Sequence, residues 1–361
     1  MISMTGRPDR PGGTSQDAWA GGPTEDERAA AADLLRMIWG IHISRAVYVA
    51  AELGIADRLA DGPMTAQDLA AATGAHEQSL YRVLRALAAL GVFAERQPRS
   101  FSLTTLGDRL RTDAPASMRS WAMLVEACGG VRAFEHILHT VRTGEPGLDA
   151  AHGMPWLDFL ACHPENAMSF DAAMSERTAA FAPSVAAGYD FSGLRTVVDV
   201  GGGQGILLAE ILRHHSHLRG VLLELPSVAA GAAAALTAAG VAARGEIMAG
   251  DFFAAVPGGA DCYLTANVLH DWDDRLAVSI LQNCRRAMAQ GGRILIIERL
   301  IPDDPARAVP ALLSDLNMLV FTGGQERTNA EYDRLLAAAG LRSGRIQPVA
   351  SPYGVIEGIS P

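Results

Sequence analysis

Apolar residues recur at helical spacing through residues 25–59: Leu34, Leu35, Ile38, Ile41 and Ile43, then Val47, Val49, Leu53 and Ile55. They cover more of the surface than one stripe facing one core, which predicts a helix packed against a partner subunit. In residues 64–103, Thr65 with Asp68 signals a helix start, Gly74 a turn, and Leu80, Leu84, Leu87 and Leu90 the inward face of a second helix. Val92-Phe93 and residues 101–103 then read as two short strands around a polar tip, residues 95–100. Helix, turn, helix and hairpin in this order predict a winged helix. Residues 104–185 read as largely helical.

From about Tyr189 the pattern changes to short apolar runs alternating with helices: RTVVDV, GVLLEL, DCYLTAN and RILIIE. Buried strands alternating with amphipathic helices predict an α/β unit with a parallel sheet covered on both faces. Ligands in such folds bind beyond the carboxyl ends of the strands, and the residues that carry chemistry fall there. The uncharged stretch 225–243 holds ten alanines. Alanine offers too little apolar area for a membrane span, so this too reads as a helix of a soluble protein.

Composition narrows the chemistry. Hydrophobic residues make up 49% of the 361-residue chain, enough for a sizeable core in two folded units. The net charge of −10 gives no general attraction to nucleic acid or anionic membrane. All 30 basic residues are arginine, which excludes Schiff-base chemistry, a P-loop lysine and a lysine base. Cys128, Cys162, Cys262 and Cys284 form no C-x-x-C pair and read as small core residues. Residues 1–25, rich in Gly, Pro, Asp and Arg, read as a disordered tail without a leader, so the expected location is cytoplasmic.

The first strand, with Asp199 inside it, runs into Gly201-Gly202-Gly203-Gln204-Gly205 and a helix. Glycines let the backbone approach a ligand, and the helix start offers free N–H groups. A nicotinamide dinucleotide would favour G-x-G-x-x-G; the G-x-G-x-G here suits a cofactor with no pyrophosphate. Glu224 ends the next strand, where a carboxylate can accept from both ribose hydroxyls. Asp251 follows a third strand, placed to accept from an adenine amino group, and Phe252 beside it can pack on the ring. The fourth strand ends in Asn267-Val268-Leu269-His270-Asp271-Trp272. A histidine there can take a proton near neutral pH. Glu326, in Gly323-Gly324-Gln325-Glu326-Arg327, is placed to orient it, the alternative being a surface salt bridge with Arg327. His214, His215 and His217 read as a solvated face, not a metal site.

Taken together, DVGGGQG, LLELP, GDFF, NVLHDWDD and GGQERT resemble the motifs of the plant caffeic-acid type of small-molecule O-methyltransferase. The bacterial relatives that tailor polyketides, phenazines and other antibiotics look closer still. The resemblance covers about residues 30–360. It implies a Rossmann-like methyltransferase domain over residues 186–361, and a winged-helix dimerisation and acceptor-lid region over residues 26–185. It implies S-adenosylmethionine as cofactor, held by Asp199, Gly201, Gly203, Glu224, Asp251, Phe252, Asn267 and Trp272. His270 would be the base, with Glu298 and Glu326 flanking it. Met174, Phe181, Asp271 and Met318 would line the pocket of a small aromatic hydroxyl compound. The expected assembly is a homodimer that uses no metal, nucleic acid or membrane. Asn267 departs from the lysine of many plant members. Relatives of this fold that catalyse hydroxylation or pericyclic steps, and a winged-helix DNA-binding regulator, are the competing readings. The second helix of the wing offers only Arg82 and Arg85 beside Glu77, a thin face for phosphates.

Overall fold

The computed structural model describes residues 24–127, 129–349 and 352–361. Most of the expected disordered tail, and Cys128, lie outside the described residues. Thr24 and Glu25, which that expectation included, belong instead to the first helix, Glu25–Ile38. Thr24 Oγ1 accepts from the Glu27 amide and the Glu27 carboxylate accepts from the Thr24 amide, a reciprocal capping box that fixes the helix start. A second helix, Gly40–Glu52, follows at once. The predicted apolar surface is there and largely uncovered: Leu34, Met37, Ile38, Trp39 and Ile41 are all exposed.

The expected helix–turn–helix–hairpin forms as Ala66–Thr73, Glu77–Ala89, β2 (Phe93–Gln97) and β3 (Ser100–Leu103). A further strand without a sequence signal of its own, β1 (Met64–Thr65), pairs antiparallel with β3. Leu80, Leu84 and Leu87 are buried as expected. Leu90 is not: it is the residue that ends the helix and is 45% exposed, because it lies past the last turn that faces the core.

The second unit is built on a seven-stranded sheet in the order β6-β5-β4-β7-β8-β10-β9. Its strands are β4 (Thr196–Val200), β5 (Arg219–Glu224), β6 (Gly245–Ala249), β7 (Cys262–Ala266), β8 (Arg293–Arg299), β9 (Arg342–Pro348) and β10 (Tyr353–Ile359). The sheet is mixed where a parallel one was expected, since β10 runs antiparallel to both β8 and β9. Alternate residues of β4 face opposite ways: Val197 joins a core with Phe181, Leu208 and Leu212, while Val198 joins one with Ile280, Leu281 and Leu336. The sheet is therefore covered on both faces, and its carboxyl edge is left for ligands.

One helix, Pro164–Gly188, runs unbroken across residues 185 and 186, where the sequence reading divided the chain. The alanine-rich stretch forms the helix Pro226–Ala238, with Pro226 in its first turn where a missing N–H costs nothing. Among the described residues no helix is long and apolar enough to cross a membrane. Cys262 and Cys284 are buried, but Cys162 is exposed, against the expectation of a core residue. The histidine group also departs from a purely solvated face, since His215 and His217 donate to the carbonyls of Ala186 and Phe191.

Candidate active site

The carboxyl edge of β4 turns through Gly201, Gly203 and Gly205, all at positive φ of 68°, 58° and 74°, which glycine adopts without strain. Gly202 is demanded by space instead: a β-carbon there would sit 2.4 Å from Asp199 Oδ2. Asp199 itself is fully buried beneath the turn. It was expected among the cofactor contacts; the structure makes it the floor under Gly202. Burial, and then the charge of Glu224, push its carboxyl up to about 7. Gly203 has nothing within 4 Å of where a β-carbon would point, so a ligand can approach the backbone there closely.

Glu224, at the end of β5, accepts from the Gly203 amide at 2.9 Å and the Leu225 amide at 2.7 Å. Burial pushes its carboxyl up; those two amides oppose the shift, and the nearby Asp171 adds to it. Asp251 is exposed and accepts from the Phe253 amide at 2.7 Å. Phe252 and Phe253 meet Trp272 edge to face, with ring centroids 6.2 Å and 4.8 Å from it. Asn267, directly after β7, is held at a positive φ of 53°, and its buried Oδ1 has no hydrogen-bond partner. An unobstructed glycine turn, a carboxylate on the second strand, an aromatic wall and an orphaned amide oxygen fit a nucleoside bearing a polar tail.

His270 is only 3% exposed and sits on a single turn of 3₁₀ helix, Leu269–Asp271, not at the strand end itself. Its Nδ1 lies 3.2 Å from Glu326 Oε1 and 3.6 Å from Glu298 Oε2. Burial works against the imidazolium, but Glu298, Asp271 and Glu326 outweigh it and raise the ring to about 9. The two glutamates differ. Burial and the other carboxylates raise Glu298 to about 7, although His270 pulls it down. For Glu326 burial is overcome by bonds from His270 and Ser314 and by the charge of Arg299, which leave it below its ordinary value. Glu298 also uses Oε1 to accept the amides of Val268 and Leu269, at 3.1 Å and 2.9 Å, so it holds the turn as well as facing the ring.

The expected salt bridge alternative for Glu326 does not form: Arg327 pairs with Asp274 instead. On the acceptor side, Asp271 Oδ1 is 3.6 Å from His270 Nε2. Met318 is buried on the helix Pro305–Phe321, and Met174 is half-buried on Pro164–Gly188. Phe181 does not join them. It is 1% exposed and packs against Tyr353 at 4.5 Å, because its stretch of helix turns toward the sheet.

Several residues escaped the sequence reading. Gln204 donates to Asp171 at 3.0 Å, tying the glycine turn to the helix Pro164–Gly188. Asn283 donates to the carbonyls of Phe252 and Phe253 and fixes the aromatic wall. Neither amide carried a signal of its own, Gln204 standing among the glycines of the turn and Asn283 at an ordinary helical position. His270, Glu298 and Glu326 also form the one group among the described residues whose ligand atoms are close enough to hold a metal ion. The Nδ1 contact with Glu326 is accounted for by a proton between them.

The glycine turn, Glu224, the aromatic wall and the buried histidine–carboxylate group all lie beyond the carboxyl ends of the sheet strands, where α/β enzymes bind their ligands. The comparisons place the chain more narrowly. A family described as the O-methyltransferase domain matches residues 134–342, and an O-methyltransferase dimerisation domain matches residues 35–113. The phenazine O-methyltransferase PhzM of Lysobacter antibioticus is 42% identical, over 92% of this chain and 98% of its own. The solved structure of the mitomycin 7-O-methyltransferase MmcR is also 42% identical, covers 94% of this chain and 100% of its own, and superposes with a TM-score of 0.87. NcsB1, an O-methyltransferase from neocarzinostatin biosynthesis, was solved with S-adenosylmethionine and 2-hydroxy-5-methyl naphthoic acid. It is 38% identical with a TM-score of 0.80, over 91% of this chain and 98% of its own. The chain belongs to the O-methyltransferase family, and its cofactor is S-adenosylmethionine.

Proposed function

We propose that this enzyme methylates a hydroxyl group of a small aromatic acceptor, with His270 as general base. The observation that carries this reading is the pairing of His270 Nδ1 with Glu326 Oε1 at 3.2 Å. It ties up one ring nitrogen and leaves Nε2, on the side of Asp271, for the acceptor hydroxyl. Gly201, Gly203, Glu224, Asp251, Phe252, Asn267 and Trp272 would hold the cofactor, with Asp199 supporting the turn from below. When bound, S-adenosylmethionine supplies an electrophilic methyl group. The chain supplies the rest. Met174 and Met318 orient the acceptor ring, the buried surroundings exclude water, and Nε2 takes the hydroxyl proton while Glu326 steadies the imidazolium. Positioning is the larger effect, and the base is typically worth about 10²–10⁴-fold. Nothing in the site supports the hydroxylating or DNA-binding alternatives over this reading.

We also infer a homodimer built through residues 26–185, because Leu34, Met37, Ile38, Trp39 and Ile41 form an apolar surface that a lone chain would leave in water. The functional test is methyl transfer from labelled S-adenosylmethionine to a hydroxylated phenazine and to 2-hydroxy-5-methyl naphthoic acid. His270→Ala is expected to lower kcat by about 10²-fold or more with cofactor affinity nearly unchanged. Turnover preserved in this variant on an un-ionised phenol would remove His270 from the mechanism.

A further inference from the structure

Arg327 is among the largest side chains that the fold buries completely. A buried guanidinium is costly unless each of its donors is used. Here they are used, and their targets are specific. Nη1 donates to the Leu269 carbonyl at 2.9 Å and Nη2 to the Trp272 carbonyl at 2.8 Å. Those two carbonyls bracket His270. Nε and Nη2 also reach Asp274 Oδ1, at 3.0 Å and 2.9 Å, which balances the charge. The Arg327 carbonyl accepts from the Ile301 amide, so the clamp is itself anchored just past the end of β8.

We propose that Arg327 is a positioning residue for His270, one half of a two-sided clamp on the turn that carries the ring. Glu298 grips that turn by its amides, at Val268 and Leu269, and Arg327 grips it by its carbonyls, at Leu269 and Trp272. The Gln325 amide takes the His270 carbonyl, at 2.9 Å. A planar fork fixes the two carbonyls relative to each other, which a flexible ammonium cannot do. The same short loop therefore delivers both the carboxylate that meets Nδ1 and the guanidinium that sets where Nδ1 is. The Trp272 contact links this clamp to the aromatic wall of the cofactor crevice. The inference rests on the reading of His270 as the base.

The test is an NMR titration of His270 in the full-length enzyme, its signal assigned by loss in His270→Gln, together with thermal melting. The carboxylates that raise His270 most are Glu298, Asp271 and Glu326, and Arg299 lies 3.9 Å from Glu326. Arg327→Lys and Asp274→Glu both conserve charge, so a shift in either must travel through the clamp. We expect the midpoint to fall by about one unit or more in Arg327→Lys, as the ring slips from its carboxylates, and in the same direction but less in Asp274→Glu. Asp274 is largely exposed, so its variant decides the matter should Arg327→Lys not fold. A midpoint equal to wild type in the folded variant overturns the inference. Turnover preserved in His270→Ala alongside a moved midpoint would overturn the base and leave the clamp standing.

Discussion

Gly324 lies so close to the main chain of His270 that a β-carbon on it would sit 2.1 Å from the His270 carbonyl oxygen. The obstruction is backbone, not the end of a flexible side chain, so neither partner can step aside without moving the turn. Gly324→Ala is expected to lower kcat by about tenfold or more through displacement of the ring, while S-adenosylmethionine binding changes little. Kinetics with wild-type turnover, combined with calorimetric titration of the cofactor, would show that the loop tolerates the shift.

The pH dependence follows from the charges around the ring. With His270 raised to about 9 by its three carboxylates, the free enzyme holds a protonated ring at neutral pH. The base form appears only as pH rises, so kcat/KM is expected to climb through pH 7–8 toward a limb near 9. A bound sulfonium adds positive charge beside the ring and favours the neutral form. The corresponding limb in kcat is therefore expected at lower pH than that in kcat/KM. Coincident limbs, or an identical profile in His270→Ala, would contradict this.

Glu224 makes two backbone hydrogen bonds that a ribose would have to share or displace. Glu224→Ala and Asp251→Ala are each expected to weaken S-adenosylmethionine binding by about tenfold or more, since each leaves polar groups of the ligand unpaired. Calorimetric titration with unchanged affinity in both would remove the cofactor assignment of these carboxylates.

The apolar surface of the first two helices gives the fourth prediction. Ile38→Asp combined with Ile41→Asp places two charges on a surface already 62% and 61% exposed, so the monomer fold should be spared. Light scattering is expected to find a dimer for the wild type and a monomer for the double variant. A dimer that survives both charges must be built elsewhere.

The sequence revealed the strands β4, β5, β7 and β8 because each is a continuous apolar run buried on both faces. β9 was hidden by its composition: RSGRIQP is polar and edge-lying, and its neighbour YGVIEGI contains glycines that weaken a strand reading. Periodicity also told which helical residues were inward without telling inward toward what. Phe181 shows the cost, since core and pocket both demand an apolar residue, and only the fold turns it toward Tyr353. The ordered motifs point to His270, Glu298 and Glu326 as neighbours, and the fold brings them together from the turn after β7, the end of β8 and the loop before the helix Asn329–Ala338. In sequence Arg327 shows only as the alternative surface partner of Glu326. A charge next to a charge in a loop looks solvated, and nothing in one sequence shows that two carbonyls wait for it.

The bond between Gln204 and Asp171 joins the glycine turn to a helix of 25 residues that also carries Met174. Asp171 and Met174 lie about one turn apart on that helix, and further along it Phe181 packs against Tyr353 of the sheet. A displacement of this stretch by an acceptor at Met174 is therefore expected to reach Gln204 and the glycine turn beside the cofactor.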